Sequence, residues 1–204
     1  MNISKICLTV FEKSTDDFHQ HNDVDFAITN PFPANQFECL LYQKNYIDAV
    51  QWHLEDIVRD PNIAPDKCLM IKRRIDKSNQ ERTDLVEKID DYFFDQFAEI
   101  KIKPDASLNT ESPAWAIDRL SILVLKIYHM HEQVVRKDVD EEHIQRCLQK
   151  LEILQEQKRD LSKSIDELIA DIASGSRRMK VYRQMKMYND PSLNPVFYIQ
   201  SKNQ

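Results

Sequence analysis

One glycine in 204 residues is the feature that most restricts this chain. Glycine supplies the left-handed backbone that tight hairpins, bulges and close backbone approaches require, and helices do best without it. A turn-rich β architecture is therefore excluded, and an all-α fold is predicted before any pattern is read. The same scarcity removes functions. A Gly-rich phosphate loop and a dinucleotide-binding fingerprint each need several glycines. A nucleophile elbow needs two around its serine.

Apolar periodicity predicts five long helices. The first covers residues 3–19, with Ile3, Ile6, Cys7, Val10 and Phe11 at helical spacing. NPFPAN, residues 30–35, reads as a loop. The second helix runs from about 36 to 60, with Leu40, Ile47, Val50, Leu54 and Ile57 on one side, and Pro61 stops it. The third spans about 65–99 on the stripe Cys68, Ile71, Ile75, Arg82, Val86, Ile89 and Phe93. Pro104 and the polar run 105–112 interrupt the chain, and Ser112-Pro113 reads as an N-cap followed by proline at the first helical position. The fourth helix, about 113–137, is the most apolar, and the fifth spans about 140–174. Gly175 is placed to end the fifth as a left-handed cap. SRRMKVYRQMKMY, residues 176–188, is then expected as a short basic helix.

These elements make one helical domain over residues 1–204: a first hairpin at 36–99, a second at 112–174 and a basic segment at 176–204. The architecture expected is a bundle of long antiparallel helices, with the first helix and the basic segment covering it. The two hairpins align at a constant offset of 76 residues, His53 on His129, Trp52 on Tyr128, Asp56 on Glu132 and Arg82 on Lys158. A duplicated αα-hairpin is one reading of that match; shared helical period is the other.

Net charge is −6, and no apolar run is long enough to span a membrane. An acidic chain with one short basic segment disfavours nucleic acid as a partner. Cys7, Cys39, Cys68 and Cys147 form no Cys-x-x-Cys pair, which reads as free thiols in a reducing, cytoplasmic setting.

Arg82 is the sharpest misfit, because it interrupts an apolar stripe where an unpaired charge is costly. Asp118 interrupts the fourth helix in the same way and is the natural partner. Either these long side chains reach a bundle edge, or they line an internal polar pocket for an anion. In the second reading Asn79, Arg82, Asp118, Arg119, Lys126, Arg177, Lys180 and Arg183 converge on one recess and hold a phosphate or carboxylate. Basic charge after Gly175 has a competing account: it complements the acidic bundle and the carbonyl end of the fifth helix. The pairs His53/Asp56 and His129/Glu132 have metal-ligand spacing. Both lie off the apolar stripes and are expected to face outward, so no metal site is predicted. An alternative enzyme reading rests on Glu87-x-x-Asp90 with Glu55 and Asp56. Four facing carboxylates would hold Mg2+ near a phosphate, as in all-helical nucleotide pyrophosphohydrolases. Trp52 lies outside these patterns, and a contact between copies of the chain is the use left for it.

LYQKNYIDAVQWHLEDIVRDP, IKRRIDKSNQERTDLVEKID, SPAWAIDRLSILVLKIYHM and SRRMKVYRQMKMYNDPSLNPVFY together resemble a bacterial family catalogued as domain of unknown function 4254. The resemblance covers nearly the whole chain with its segments in order. It implies a helical cytoplasmic protein without an assigned reaction. It also implies a link to surface-polysaccharide loci, and hence phosphorylated sugars or nucleotide sugars as partners. It supplies no catalytic set. The function expected is an accessory or binding protein for an anionic, phosphate-bearing ligand or a protein partner.

Overall fold

The computed structural model describes residues 2–185, 187 and 190–200. The fold is an all-α bundle of helices α1 (Ile3–His19), α2 (Phe37–Val58), α3 (Pro65–Gln96), α4 (Pro113–Val134) and α5 (Glu141–Ala173), followed by a short helix α6 (Pro195–Gln200) that, over the described residues, packs on none of them. A two-residue parallel pair, β1 (Ser107–Leu108) with β2 (Arg177–Arg178), is the strand structure among the described residues. No helix in that range is long and apolar enough to cross a membrane.

Local chemistry sets the helix ends. Asn2, Ser112 and Asp140 accept backbone N–H bonds from Lys5, Trp115 and His143, satisfying donors the first turn leaves open. Pro65 and Pro113 occupy first-turn positions where no N–H is needed. At the end of α5, Gly175 N–H donates to Ile172 O and Ser176 N–H to Asp171 O, with Gly175 at φ +71°. That bond pair is a Schellman cap, and it requires the left-handed residue.

α4 is the central helix. It touches α1, α2, α3 and α5, and ten of its residues are buried. An element apolar on most sides has to be surrounded. α2 pairs with α3 and α4 with α5 as two antiparallel hairpins, while α3 and α5 do not meet. α1 is no peripheral cover: it packs on α2, α4 and α5, and buries Ile3, Cys7, Val10, Phe11 and Phe18. Asp166 fastens its start, accepting from Ser4 N at 3.0 Å and Ser4 Oγ at 2.6 Å. The main core joins Phe11, Leu41, Val86, Ile89, Phe93, Ile117, Leu120 and Ile165.

Two expectations are corrected. The basic segment is not a helix over its described residues 176–185. Arg177 and Arg178 are extended against Ser107 and Leu108, and residues 179–185 have no helical structure. The spacing puts Val181, Met185 and Tyr188 on the side that would dock on the bundle; Met185 is 90% exposed, neighbouring Tyr182 is 73% exposed, and Tyr188 lies outside the described residues. Backbone pairing with β1 commits Arg177 and Arg178 to an extended course, which removes the first turn of the expected helix. Among the described residues of this stretch, Met179 packs against the main core. Lys186 lies outside the described residues. The inner face of α2 also differs. Lys44, Asn45, Asp48 and Ala49 are buried, whereas Ile47, Val50 and Ile57 are only partly so.

Candidate functional site

A balanced charge layer crosses the middle of the bundle. Lys44 on α2 is completely buried and bonded to Asp48 one turn on. Its Nζ also lies 2.7 Å from Asp118 Oδ1 on α4. Arg82 reaches in from α3. Its Nη2 bonds Asp118, and its Nε approaches Asp48 Oδ1 to 3.1 Å as an ion contact without hydrogen-bond alignment. Two cations thus face two carboxylates, Asp118 Oδ1 meets Lys44 as an ion contact alone, and neutral neighbours extend the network on the Asp48 side. Ser121 Oγ donates to Asp48 at 2.6 Å, Asn45 Nδ2 to Ser121 Oγ at 3.0 Å and Thr15 Oγ1 to Asn45 Oδ1 at 3.0 Å. Burial pushes Asp48 above the usual carboxylate range, against the pull of Lys44.

Three histidines meet beside this layer. His19 closes α1, His53 lies on α2 and His129 on α4. One ring nitrogen of each lies within 4.8 Å of those of the other two. His19 Nε2 and His53 Nε2 are 3.3 Å apart. His19 Nδ1 sits 2.7 Å from Thr15 O, and His129 Nδ1 sits 2.8 Å from Glu132 Oε2. His129 Nε2 is buried without a hydrogen-bond partner. Each imidazole is stacked on an aromatic ring: His19 on Tyr128, with centroids 4.0 Å apart, His53 on Phe18 at 4.9 Å and His129 on Trp52 at 4.8 Å. Burial lowers the imidazole pKa of His19 and of His53. The expectation that both histidine pairs face outward holds for Asp56 and Glu132, which are exposed, but not for the imidazoles: His53 and His129 are half-buried where α1 docks. Trp52 acquires an account as well, as the ring that clamps His129.

Trp52 and Asp56 also line two adjoining recesses. One, of about 310 Å³, is bounded by Asp48, Gln51, Glu55, Arg59 and Arg82. The other, of about 560 Å³, opens from the three histidines toward Lys126 and Glu132.

The eight residues expected to share a recess fall in three places. Asn79, Arg82 and Asp118 belong to the α2–α3–α4 layer, where Asn79 Oδ1 accepts from Gln51 Nε2 at 2.8 Å. Arg119, Lys126 and Arg177 line a groove of about 810 Å³ between α4 and α5, and Lys126 borders the histidine recess too. Arg119 is paired there with Glu111, and Arg177 with Asp171. Lys180 and Arg183 lie elsewhere: Lys180 donates to Tyr182 Oη, and Arg183 pairs with Glu87 and Asp91 on α3. These pairings match the account in which the basic segment complements acidic helices. Lys158, aligned with Arg82 by the 76-residue offset, pairs with Glu12 at the surface instead.

The four carboxylates of the enzyme reading do not face one another. α2 and α3 run antiparallel, with Gln51 opposite Asn79, Asp48 opposite Arg82 and Phe37 against Phe93. Continuing that register puts Glu55 and Asp56 about 18 Å or more along the hairpin from Glu87 and Asp90. Asp90 has another task. It accepts from Ser112 Oγ at 2.7 Å and from Ala114 N at 3.3 Å, anchoring the start of α4.

Sequence reasoning missed Lys44, Asp48 and His19. The available signal for the last was the alignment of His53 with His129, which gives two hairpins a histidine at corresponding places. No curated protein and no solved structure matches the chain. The model of a family described as protein of unknown function (DUF4254) matches residues 38–181, a span that includes the whole charge layer and two of the three histidines. With well over half of its length matched, the chain belongs to that family.

Proposed function

We propose that this chain binds a small phosphate-bearing ligand in the paired recesses around Trp52. The observation that carries this reading is the placement of Arg59 and Arg82 on one side of the indole and Lys126 on the other. Arg82 is held by two buried carboxylates, so presenting its guanidinium to a ligand costs little further side-chain order. The indole offers a flat face for a base or for the apolar face of a sugar. Volumes of about 310 and 560 Å³ suit a ligand of nucleotide or sugar-phosphate size. Resemblance to a family linked with surface polysaccharides makes sugar phosphates and nucleotide sugars the first candidates.

Glu55 and Asp56 border the same recess and pair with Arg59. A magnesium-bridged phosphate held by these two acids is therefore the second reading, without Glu87 or Asp90. The test is a thermal-shift panel of nucleotides, nucleotide sugars and sugar phosphates on EDTA-treated protein, with and without Mg2+, followed by Trp52 fluorescence. At least one class is expected to bind, and Lys126→Gln is expected to weaken it about tenfold, the loss of one charge-assisted hydrogen bond. Stabilisation only with Mg2+ supports the second reading. A panel without response rules out both, and so does a ligand unaffected by Arg59→Gln combined with Lys126→Gln.

A further inference from the structure

We propose that His19, His53 and His129 form a three-imidazole site for a first-row divalent transition ion, Zn2+ in kind, with its fourth position open to the recess bordered by Asp56 and Lys126. The inference does not depend on the phosphate-binding reading.

The argument begins with ring nitrogens. A backbone carbonyl only accepts, so the bond to Thr15 O puts the His19 proton on Nδ1 and leaves Nε2 a lone pair. A carboxylate does the same for His129, whose Nε2 is then a second lone pair. The three residues come from different helices and bring a ring nitrogen each to within 4.8 Å of the other two, and Nε2 of His129 is buried with no donor to meet it. A buried acceptor without a partner is costly, and a cation removes the cost. His53 Nε2 is the third donor, 3.3 Å from His19 Nε2. Without an ion, its N–H is shared with His19. Ion binding moves that proton to His53 Nδ1, with no net change in protons.

Geometry agrees. Tetrahedral zinc with Zn–N bonds of 2.0–2.1 Å separates its ligand nitrogens by about 3.4 Å. His19 and His53 already stand at that spacing, and side-chain rotation closes the widest gap of 4.8 Å. Glu132 and the Thr15 carbonyl supply the outer hydrogen bonds that orient metal-binding imidazoles. Stacking by Tyr128, Phe18 and Trp52 holds the ring planes. Three protein ligands beside a recess leave a position for water or an oxygen of a bound molecule, the form of a reactive rather than a closed zinc site.

The experiment uses the full chain without an affinity tag, stripped with EDTA and titrated with Co2+ and then Zn2+. One equivalent of Co2+ is expected to give the intense visible bands of tetrahedral coordination and to quench Trp52 fluorescence. Zn2+ is expected to displace it and to raise Tm by about 5 °C. His129→Gln is expected to weaken binding by more than about 100-fold and Glu132→Gln by about 10- to 100-fold. His143→Gln, whose ring contacts Cys147 on α5, is expected to change nothing. A wild-type spectrum that stays that of octahedral aqueous Co2+ overturns the proposal whether or not the variants fold. Binding that survives His129→Gln in a variant with wild-type circular dichroism also overturns it. An equal loss in His143→Gln places the ion elsewhere and has the same force.

Discussion

Lys44→Met is expected to destabilise the protein by about 3–5 kcal/mol, a large share of the 5–15 kcal/mol that holds a typical domain together. Methionine nearly preserves the length of the side chain, so little cavity is opened and the loss is one of charge. Lys44 is 0% exposed, and removing its ammonium leaves Asp48 and Asp118 sharing Arg82 alone. Asp48 and Asp118 are only 6% and 3% exposed, so water compensates little for the lost ammonium. The cost is thus that of a stranded buried charge, well above the 0–1 kcal/mol typical of an exposed i, i+4 pair such as Lys13–Asp17. Adding Asp48→Asn removes the surplus negative charge, and the double variant is expected to recover more than half of the loss. Urea unfolding of wild type, both single variants and the double variant measures the coupling. A loss below about 1 kcal/mol in Lys44→Met would falsify the view that this layer organises the bundle.

The second large effect is expected at the one glycine. Gly175→Ala places a Cβ 2.4 Å from the backbone oxygen of Lys101 at φ +71°. The left-handed conformation alone costs a residue with a Cβ about 1–2 kcal/mol. Clearing the carbonyl then displaces the stretch that carries the Lys103 N–H bond to Gly175 O. A total of about 2–4 kcal/mol is expected, read as a fall in Tm of roughly 5–10 °C. Gly175→Asn tolerates the left-handed region better but carries the same Cβ, so it should fall between wild type and Gly175→Ala. Equal stability in all three would show that the Lys101 segment yields freely.

Helix existence and helix ends were legible because they depend on local chemistry. The first helix was expected at residues 3–19, where α1 lies, and α3 and α4 begin at the expected prolines. The central place of α4 was implicit in its apolar run. Arg82 and Asp118 announced themselves as charges inside stripes, and they meet. Lys44 and Asp48 did not, since an i, i+4 lysine–aspartate pair usually marks a solvated face. Only the wrapping of α2 by α1, α3 and α4 buries them. The histidine cluster was hidden for a related reason. Its members lie far apart in sequence, and His53 and His129 become half-buried neighbours only when the last turn of α1 arrives with His19. The basic segment was misread because its spacing fits a helix, while the capture of Arg177 and Arg178 by Ser107 and Leu108 leaves no local trace.

The β1–β2 clip bears on the order of events during folding. It joins positions about 70 residues apart and encloses the α4–α5 hairpin, so closing it from an open chain costs about 4 kcal/mol of loop entropy for a handful of backbone bonds. Such a latch cannot nucleate the structure; it snaps shut only after the hairpin has brought its own ends together. Perturbations at Gly175 should therefore hasten unfolding while leaving the refolding rate close to that of the unmodified chain, a split that stopped-flow kinetics resolves.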